Sequence, residues 1–209
     1  MLEYRKMKKN ELDRCARLSA KAFHDYEYFS VYINNPKRRH RFVDILLRCD
    51  FKLKVDDPTA EFYTVRNNGR LVAVAQLCRP GFRKPSDMRY ITSGFLRALF
   101  AGGIRDVIAW LKMDTEASDP FHELPDKCWY LNILSVSPSC QGKGIGSHFL
   151  QDFLFPYVRA AGCEYLYLYT NASNNCRFYE KNGFYLFDKK TFEYKGRKLG
   201  NWSYRIKLN

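Results

Sequence analysis

Three glycines stand at alternate positions in Gln141-Gly-Lys-Gly-Ile-Gly146-Ser147. Without Cβ atoms, a backbone at such positions can turn sharply and leave successive N–H groups exposed and pointing one way. The residues before the loop (128–136) read as a strand and those after it (143–161) as an amphipathic helix, so the loop opens onto a helix N-terminus with its positive dipole end. Those amides, the dipole and the Lys143 ammonium form a cradle for a pyrophosphate. Two other phosphate loops are excluded by spacing. A P-loop needs G-x-x-x-x-G-K-[ST] and a dinucleotide loop needs G-x-G-x-x-G, whereas these glycines run G-x-G-x-G. A Gly-rich turn without a ligand is the plain alternative.

A second segment, Asn175-Cys-Arg-Phe-Tyr179-Glu-Lys-Asn-Gly183-Phe184, lies one helix and one strand downstream. The Tyr179 phenol, with an ordinary pKa of about 10, is able to donate a proton to a leaving thiolate. It reads equally as a core aromatic on an amphipathic helix. Asn171 and Asn175 follow a strand end and open that helix, as caps or as partners for ligand amides.

Together the two segments resemble the Q/R-x-x-G-x-G/A loop and the N-x-x-x-Y-E-K-x-G-F ending of the GNAT superfamily of N-acyltransferases, and the resemblance extends over residues 2–208. Within it, Trp129-Tyr130-Leu131 and Leu134-Ser-Val-Ser-Pro138 are most similar to puromycin N-acetyltransferase and its relatives. The resemblance implies a mixed, mostly antiparallel sheet with a splayed strand pair, flanked by helices and carrying a helical insertion. It implies acetyl-CoA as co-substrate and a primary amine, of a small molecule, as acceptor, with direct attack in a ternary complex. Gln141, Gly142, Lys143, Gly144, Ile145, Gly146 and Ser147 would hold the pyrophosphate; the backbone of Leu134, Ser135 and Val136 would pair with the pantetheine arm, joined by Asn171 and Asn175; and Tyr179 would be the general acid. Superfamily members are often homodimers. Relatives with a defined general base carry Glu or His on the strand before the loop, where this chain has Tyr130 and Asn132, neither of them a base at neutral pH. Asn132 would then align a water, or the amine would lose its proton to solvent. His122, Glu123 and Asp126, just upstream, are further candidates.

The elements that must position these groups follow from patterning. A strand over 2–8 leads to a helix capped by Asn10, and Pro36 opens a second helix to about 51. Strands over 61–66 and 70–78 flank Asn67-Asn68-Gly69, a tight hairpin signal. Residues 80–127 read as an insertion with helices over 91–100 and 104–113. It is too small to close its own core, and Phe95, Phe100, Trp110, Met113 and Trp129 are candidate walls for an acceptor pocket. Then come the strand 128–136, the helix 143–161, a strand over 164–170, a helix over 174–181, and strands over 184–188 and 202–208.

A chain of 209 residues that is 46% hydrophobic suits one domain. Its 35 Lys and Arg against 22 Asp and Glu give a formal charge of +13, which favours anionic partners. The densest basic run, Lys37-Arg-Arg-His-Arg41, reads as the solvated face of a helix. No nucleic-acid motif accompanies the charge, so a basic nucleic-acid-binding protein ranks third, after a non-catalytic acyl-CoA-binding module. Seven cysteines at irregular spacings suggest neither a disulfide framework nor a metal site. The absence of a signal-like N-terminus and of a long apolar run points to a cytoplasmic protein without membrane contact.

Overall fold

The computed structural model describes residues 1–118 and 127–208, and of Asp87 the backbone only. Among the described residues, β1 (Leu2–Lys6), β2 (Ala60–Asn67), β3 (Arg70–Cys78), β4 (Cys128–Val136), β5 (Tyr165–Thr170), β6 (Tyr185–Tyr194) and β7 (Arg197–Lys207) form one sheet in the order β1-β2-β3-β4-β5-β7-β6. All neighbours are antiparallel except β4 and β5. That parallel pair is joined by a helical crossover, as parallel strands require. The mixed, mostly antiparallel sheet is the fold class the sequence implies.

The β2–β3 hairpin turns at Asn68 and Gly69, whose φ angles of 48° and 77° give the left-handed pair that matches strand twist. A second turn of the same kind, at Lys195 and Gly196 with φ 50° and 73°, joins β6 to β7. Both strands are longer than the spans 184–188 and 202–208 that the sequence pattern implies, because Lys189, Lys190, Glu193 and Lys198 interrupt the apolar alternation on this solvated edge.

Helices cover both faces. On one side lie α1 (Leu12–Phe23), α2 (Glu27–Ser30) and α3 (Pro36–Lys54). The insertion packs against them with α4 (Asp87–Tyr90), a π turn (Ile91–Phe95), α5 (Leu96–Gly102) and α6 (Ile104–Ser118). Phe29, Phe42, Leu46, Val107, Trp110 and Met113 share one apolar cluster with Val74 and Ile133 of the sheet. Burial of such side chains contributes about 1.5–3 kcal/mol each, so the insertion is held by this shared core. The Tyr90 hydroxyl adds a bond of 2.9 Å to Asp50, which pairs with Lys54 on α3.

On the other face, α7 (Ile145–His148), a π turn (Phe149–Leu154) and α8 (Phe155–Ala160) form one continuous rod. Phe149, Leu150, Leu154 and Val158 bury against Val65, Ala75, Leu77, Trp129 and Leu166. The π turn ends just before Pro156, whose ring would clash with the carbonyl four residues back in a regular helix; the wider turn relieves that clash. Last comes α9 (Ser173–Lys181), between β5 and β6.

Local expectations changed at two places. Pro36 does start its helix, with the Asn35 side chain accepting from the Arg38 amide at 3.1 Å. Asn10, however, caps nothing: it lies in a 3-10 turn (Lys9–Glu11), and the Glu11 carboxylate takes the Lys8 amide at 3.1 Å. Glu11 is fixed there by a bidentate Arg5 at 2.7 and 2.8 Å and by Arg66. The basic run on α3 is not all solvated, since Arg39 is only 6% exposed. Its guanidinium donates to the carbonyls of His24, Ile33 and Asn34 and to Asp25, stitching the segment after α1 to α3.

Candidate active site

Strands β4 and β5 separate early. Their pairing runs from Cys128 opposite Tyr165 only to Tyr130 opposite Tyr167, although β4 continues to Val136 and β5 to Thr170. Beyond that point β4 keeps only its β3 partner among the described residues. The Ser137 amide bonds the Val72 carbonyl at 2.8 Å, so antiparallel alternation turns the backbone of Ser135 toward β3 and the backbones of Leu134 and Val136 toward the opened side. A wedge results, bounded by an edge of β4 that has no strand partner among the described residues, and such an edge suits an extended polar ligand.

The glycine loop lies at the end of that edge. Gly142 and Gly144 have φ 74° and 75°, with nothing within 4 Å of a Cβ at Gly142. Gly144 is the N-cap of α7, so the first amides of the helix have no intrahelical partner. Gly146 works differently from its neighbours. It is helical, and a Cβ there would stand 3.1 Å from the Phe178 ring, so its role is close packing of α7 on α9. The Gln141 side chain donates to the Val136 carbonyl at 3.1 Å and holds the loop to β4. The Lys143 ammonium, exposed, reaches the Ser139 carbonyl at 2.9 Å.

Tyr179 is 8% exposed and enters no side-chain hydrogen bond among the described residues. Burial, with the nearby Tyr26 phenol, raises its pKa and keeps it protonated. Its ring packs on Phe178, Phe184 and Tyr204. The residues after it lock the helix: Glu180 accepts from the Tyr204 hydroxyl at 2.8 Å, and Asn182 donates to the Phe178 carbonyl at 2.8 Å and to Ser147 at 3.1 Å. Ser147 thus ties α7 to the end of α9.

A model of the family described as Acetyltransferase (GNAT) family matches residues 27–184. The chain belongs to the GNAT acetyltransferase family. Solved structures agree in fold. A Corynebacterium glutamicum protein named histone acetyltransferase HPA2 and related acetyltransferase has a TM-score of 0.64 at 18% identity, over 99% of this chain and 96% of that one. PaiA N-acetyltransferase of Thermoplasma acidophilum, solved with coenzyme A, has a TM-score of 0.58 at 14% identity, over 99% of both chains. The ribosomal-protein-S18-alanine N-acetyltransferase of Escherichia coli has 0.57 at 13%, over 100% of this chain and 95% of that one. No match to the sequence is found among curated proteins.

For a GNAT acetyltransferase, which acts with acetyl-CoA, the fit of the co-substrate is tested by the open space at Gly142, the free helix amides and the unpaired edge at Leu134, and all three suit it. Other expected site residues are placed less directly. Ser135 is buried, bonded to Ser19 at 2.8 Å and to the Val74 carbonyl at 3.2 Å, and so serves the packing of α1 on the sheet. Neither Asn171 nor Asn175 caps α9, whose N-cap is Ala172. Asn171 donates to the Gly200 carbonyl at 2.9 Å and to Asn201 at 3.1 Å, and Asn175 to the Thr170 hydroxyl at 3.0 Å. Asn132 is the extra residue of a β-bulge, since Gln76 and Leu77 pair with Ile133 and Leu131; its amide donates to Gln76 at 2.7 Å. His122, Glu123 and Asp126 lie outside the described residues.

The expected pocket walls are mostly core. Phe95, Trp110 and Met113 are buried under α3, Trp129 is buried on the α7–α8 face, and Phe100 is 73% exposed on the outside of the insertion. Tyrosines gather instead beside the point where β4 and β5 part. Tyr130 of β4 stacks on Tyr169 of β5 with ring centroids 6.3 Å apart. The Tyr26 hydroxyl meets Thr170 at 2.8 Å and accepts from the Asn171 amide at 2.7 Å. Tyr28 and Tyr169 both donate to Asp114 of α6, the latter at 3.4 Å. Burial raises the pKa of Tyr28, Tyr130 and Tyr169 well above the usual phenol value, and the Asp114 carboxylate raises each further. Sequence reasoning missed Tyr26, Tyr28, Tyr169 and Asp114. The alternation Tyr165-Leu-Tyr-Leu-Tyr169 did carry a signal, because it puts three phenols on one face of one strand.

Proposed function

We propose that this GNAT enzyme transfers an acetyl group from acetyl-CoA to the primary amine of a small molecule, by direct attack in a ternary complex, with Tyr179 as the general acid. Three observations support the reading: the β4 edge has no strand partner among the described residues beyond Tyr130, the left-handed glycine loop lies at its end, and the buried Tyr179 phenol is near Tyr26, which bonds Thr170 at the end of β5. Bound acetyl-CoA supplies an acetyl thioester. The loop amides from Gly142 to Gly146, with the Lys143 ammonium, hold its pyrophosphate. The backbones of Leu134 and Val136 receive the amides of the pantetheine arm, and a neighbouring amide polarises the thioester oxygen. Tyr179 holds a proton for the departing thiolate, and holding both reactants in the wedge supplies much of the acceleration.

Tyr26, Tyr28, Tyr130 and Tyr169 give the acceptor side flat apolar walls with polar tips. This supports an acceptor with an aromatic or planar apolar part, in line with the motif-level likeness of Trp129-Tyr130-Leu131 to puromycin N-acetyltransferase. The test is CoA release from acetyl-CoA across a panel of aryl and alkyl primary amines, for the parent chain and for Tyr179→Phe. Release by the parent that falls about 100-fold or more in the variant supports the assignment. Equal rates would remove Tyr179 from the chemistry.

A further inference from the structure

We infer that the acceptor ammonium loses its proton through a relay that runs from the Tyr130 hydroxyl to Tyr169 and ends on the Asp114 carboxylate. The inference rests on the acetyltransferase reading and names the proton acceptor that reading lacks.

Three facts carry it. Tyr130 is the last β4 residue paired with β5, so its phenol stands where the wedge opens. The phenols stand in series: the Tyr130 ring stacks on the Tyr169 ring at 21° with centroids 6.3 Å apart, and Tyr169 donates to Asp114 Oδ1 at 3.4 Å, a length that tightens readily when substrate closes a site. And Asp114, on α6 of the insertion, brings a carboxylate to a β4 site where Tyr130 and Asn132 offer no base. Its other oxygen meets the Lys84 ammonium at 2.6 Å. The titratable groups facing it are Lys84 from the segment after β3, Tyr28 of α2, Tyr130 of β4, Tyr169 of β5 and Tyr90 of α4, itself bonded to Asp50. Lys84 is the one cation among the described groups in that set.

The step balances. An ammonium N–H proton passes to the Tyr130 oxygen as the Tyr130 proton moves to Tyr169 and the Tyr169 proton to Asp114 Oδ1. The nitrogen lone pair is then free to attack the thioester carbon, and Asp114 is left as a neutral acid. No phenolate forms, which suits phenols whose ionisation is opposed by burial. Asp114 returns its proton to solvent past the Lys84 side chain, which is 42% exposed. Asp114 acts through Tyr130 and Tyr169 without touching the substrate.

The test is kcat/KM against pH for the parent, Asp114→Asn, Tyr169→Phe and Lys84→Met. The acceptors are the fastest alkyl amine of the panel, protonated at neutral pH, and O-methylhydroxylamine, which is neutral there. With the alkyl amine, Asp114→Asn and Tyr169→Phe are expected to lose about 100-fold and to lose the acid limb of the parent profile. With O-methylhydroxylamine they should stay within about threefold of the parent, because that nucleophile needs no deprotonation before attack. Lys84→Met should move the acid limb upward. Acetyl-CoA affinity, measured by calorimetry, should be unchanged in all. Should Asp114→Asn fail to fold, Tyr169→Phe, which leaves the carboxylate in place, carries the test. Equal losses with both acceptors, or an acid limb kept in the variants of an active parent, overturn the relay alone. A parent that binds acetyl-CoA but releases no CoA with any acceptor overturns the acetyltransferase reading and the relay with it.

Discussion

Removing one oxygen atom from Tyr179 should separate catalysis from stability. In most buried tyrosines the hydroxyl has a partner, and its deletion strands that partner at about 1–3 kcal/mol. Tyr179 has no side-chain partner among the described residues, and burial raises its pKa. Tyr179→Phe keeps the ring contacts with Phe178, Phe184 and Tyr204, strands nothing and relieves a desolvated hydroxyl. The expected change in unfolding free energy is therefore within about 0.5 kcal/mol of zero, or slightly stabilising. If the phenol protonates the thiolate, kcat should fall by about 100-fold or more, with acetyl-CoA affinity unchanged. Urea denaturation measures the first quantity and CoA release the second. A variant that loses 2 kcal/mol or more on the ~1 kcal/mol scale of ordinary substitutions would show that the phenol is structural. A stable variant with parental kcat would show that it is neither.

Two further predictions concern the frame around the site. Glu11 has its pKa lowered to about 2, chiefly by Arg5 and with help from the Lys8 amide and Arg66, against the opposing effect of burial. A folded pKa below the unfolded one gives stability that is complete above about pH 4.5 and is lost as pH falls toward 2; Glu11→Gln should remove about 2 kcal/mol at neutral pH and flatten that part of the urea-midpoint profile, whereas a profile identical to the parent would refute the linkage. Arg39→Met fits the volume but leaves the His24, Ile33 and Asn34 carbonyls without their donor. A loss of about 2–4 kcal/mol in urea denaturation is expected, and a loss under about 0.5 kcal/mol would mean that solvent replaces the guanidinium.

What could be read in advance was whatever local chemistry enforces. Asn68-Gly69 must turn left-handed, Pro36 must start a helix, and Gly142 and Gly144 must carry the loop, so these appear where the residues put them. The second hairpin escaped notice because an edge strand with a solvated face keeps charged residues where alternation would be sought. The site divided in the same way. The residues proposed to hold the co-substrate sit on one contiguous strand, loop and helix, so their local geometry was legible. The residues proposed for the acceptor side come from Tyr26 and Tyr28 before α3, Asp114 in the insertion, Tyr130 of β4 and Tyr169 of β5, and only the sheet topology brings them together. Arg39 is buried for a related reason: whether a polar residue faces solvent or a buried acceptor is decided by the element packed over it.

Calorimetric titration of acetyl-CoA into the parent chain and into Gly144→Glu tests the central claim most directly. A side chain at Gly144 first meets the His148 ring at 3.6 Å, so there is room for it, while φ 75° adds strain of about 1–2 kcal/mol that the fold can absorb. The new carboxylate would face the pyrophosphate at the helix N-terminus, where repulsion replaces attraction. Saturable one-to-one binding by the parent, weakened at least tenfold in a variant with an unchanged circular dichroism spectrum, is the predicted result. A folded parent that binds no acetyl-CoA, or a variant that binds it as tightly as the parent, would contradict the assignment of this loop.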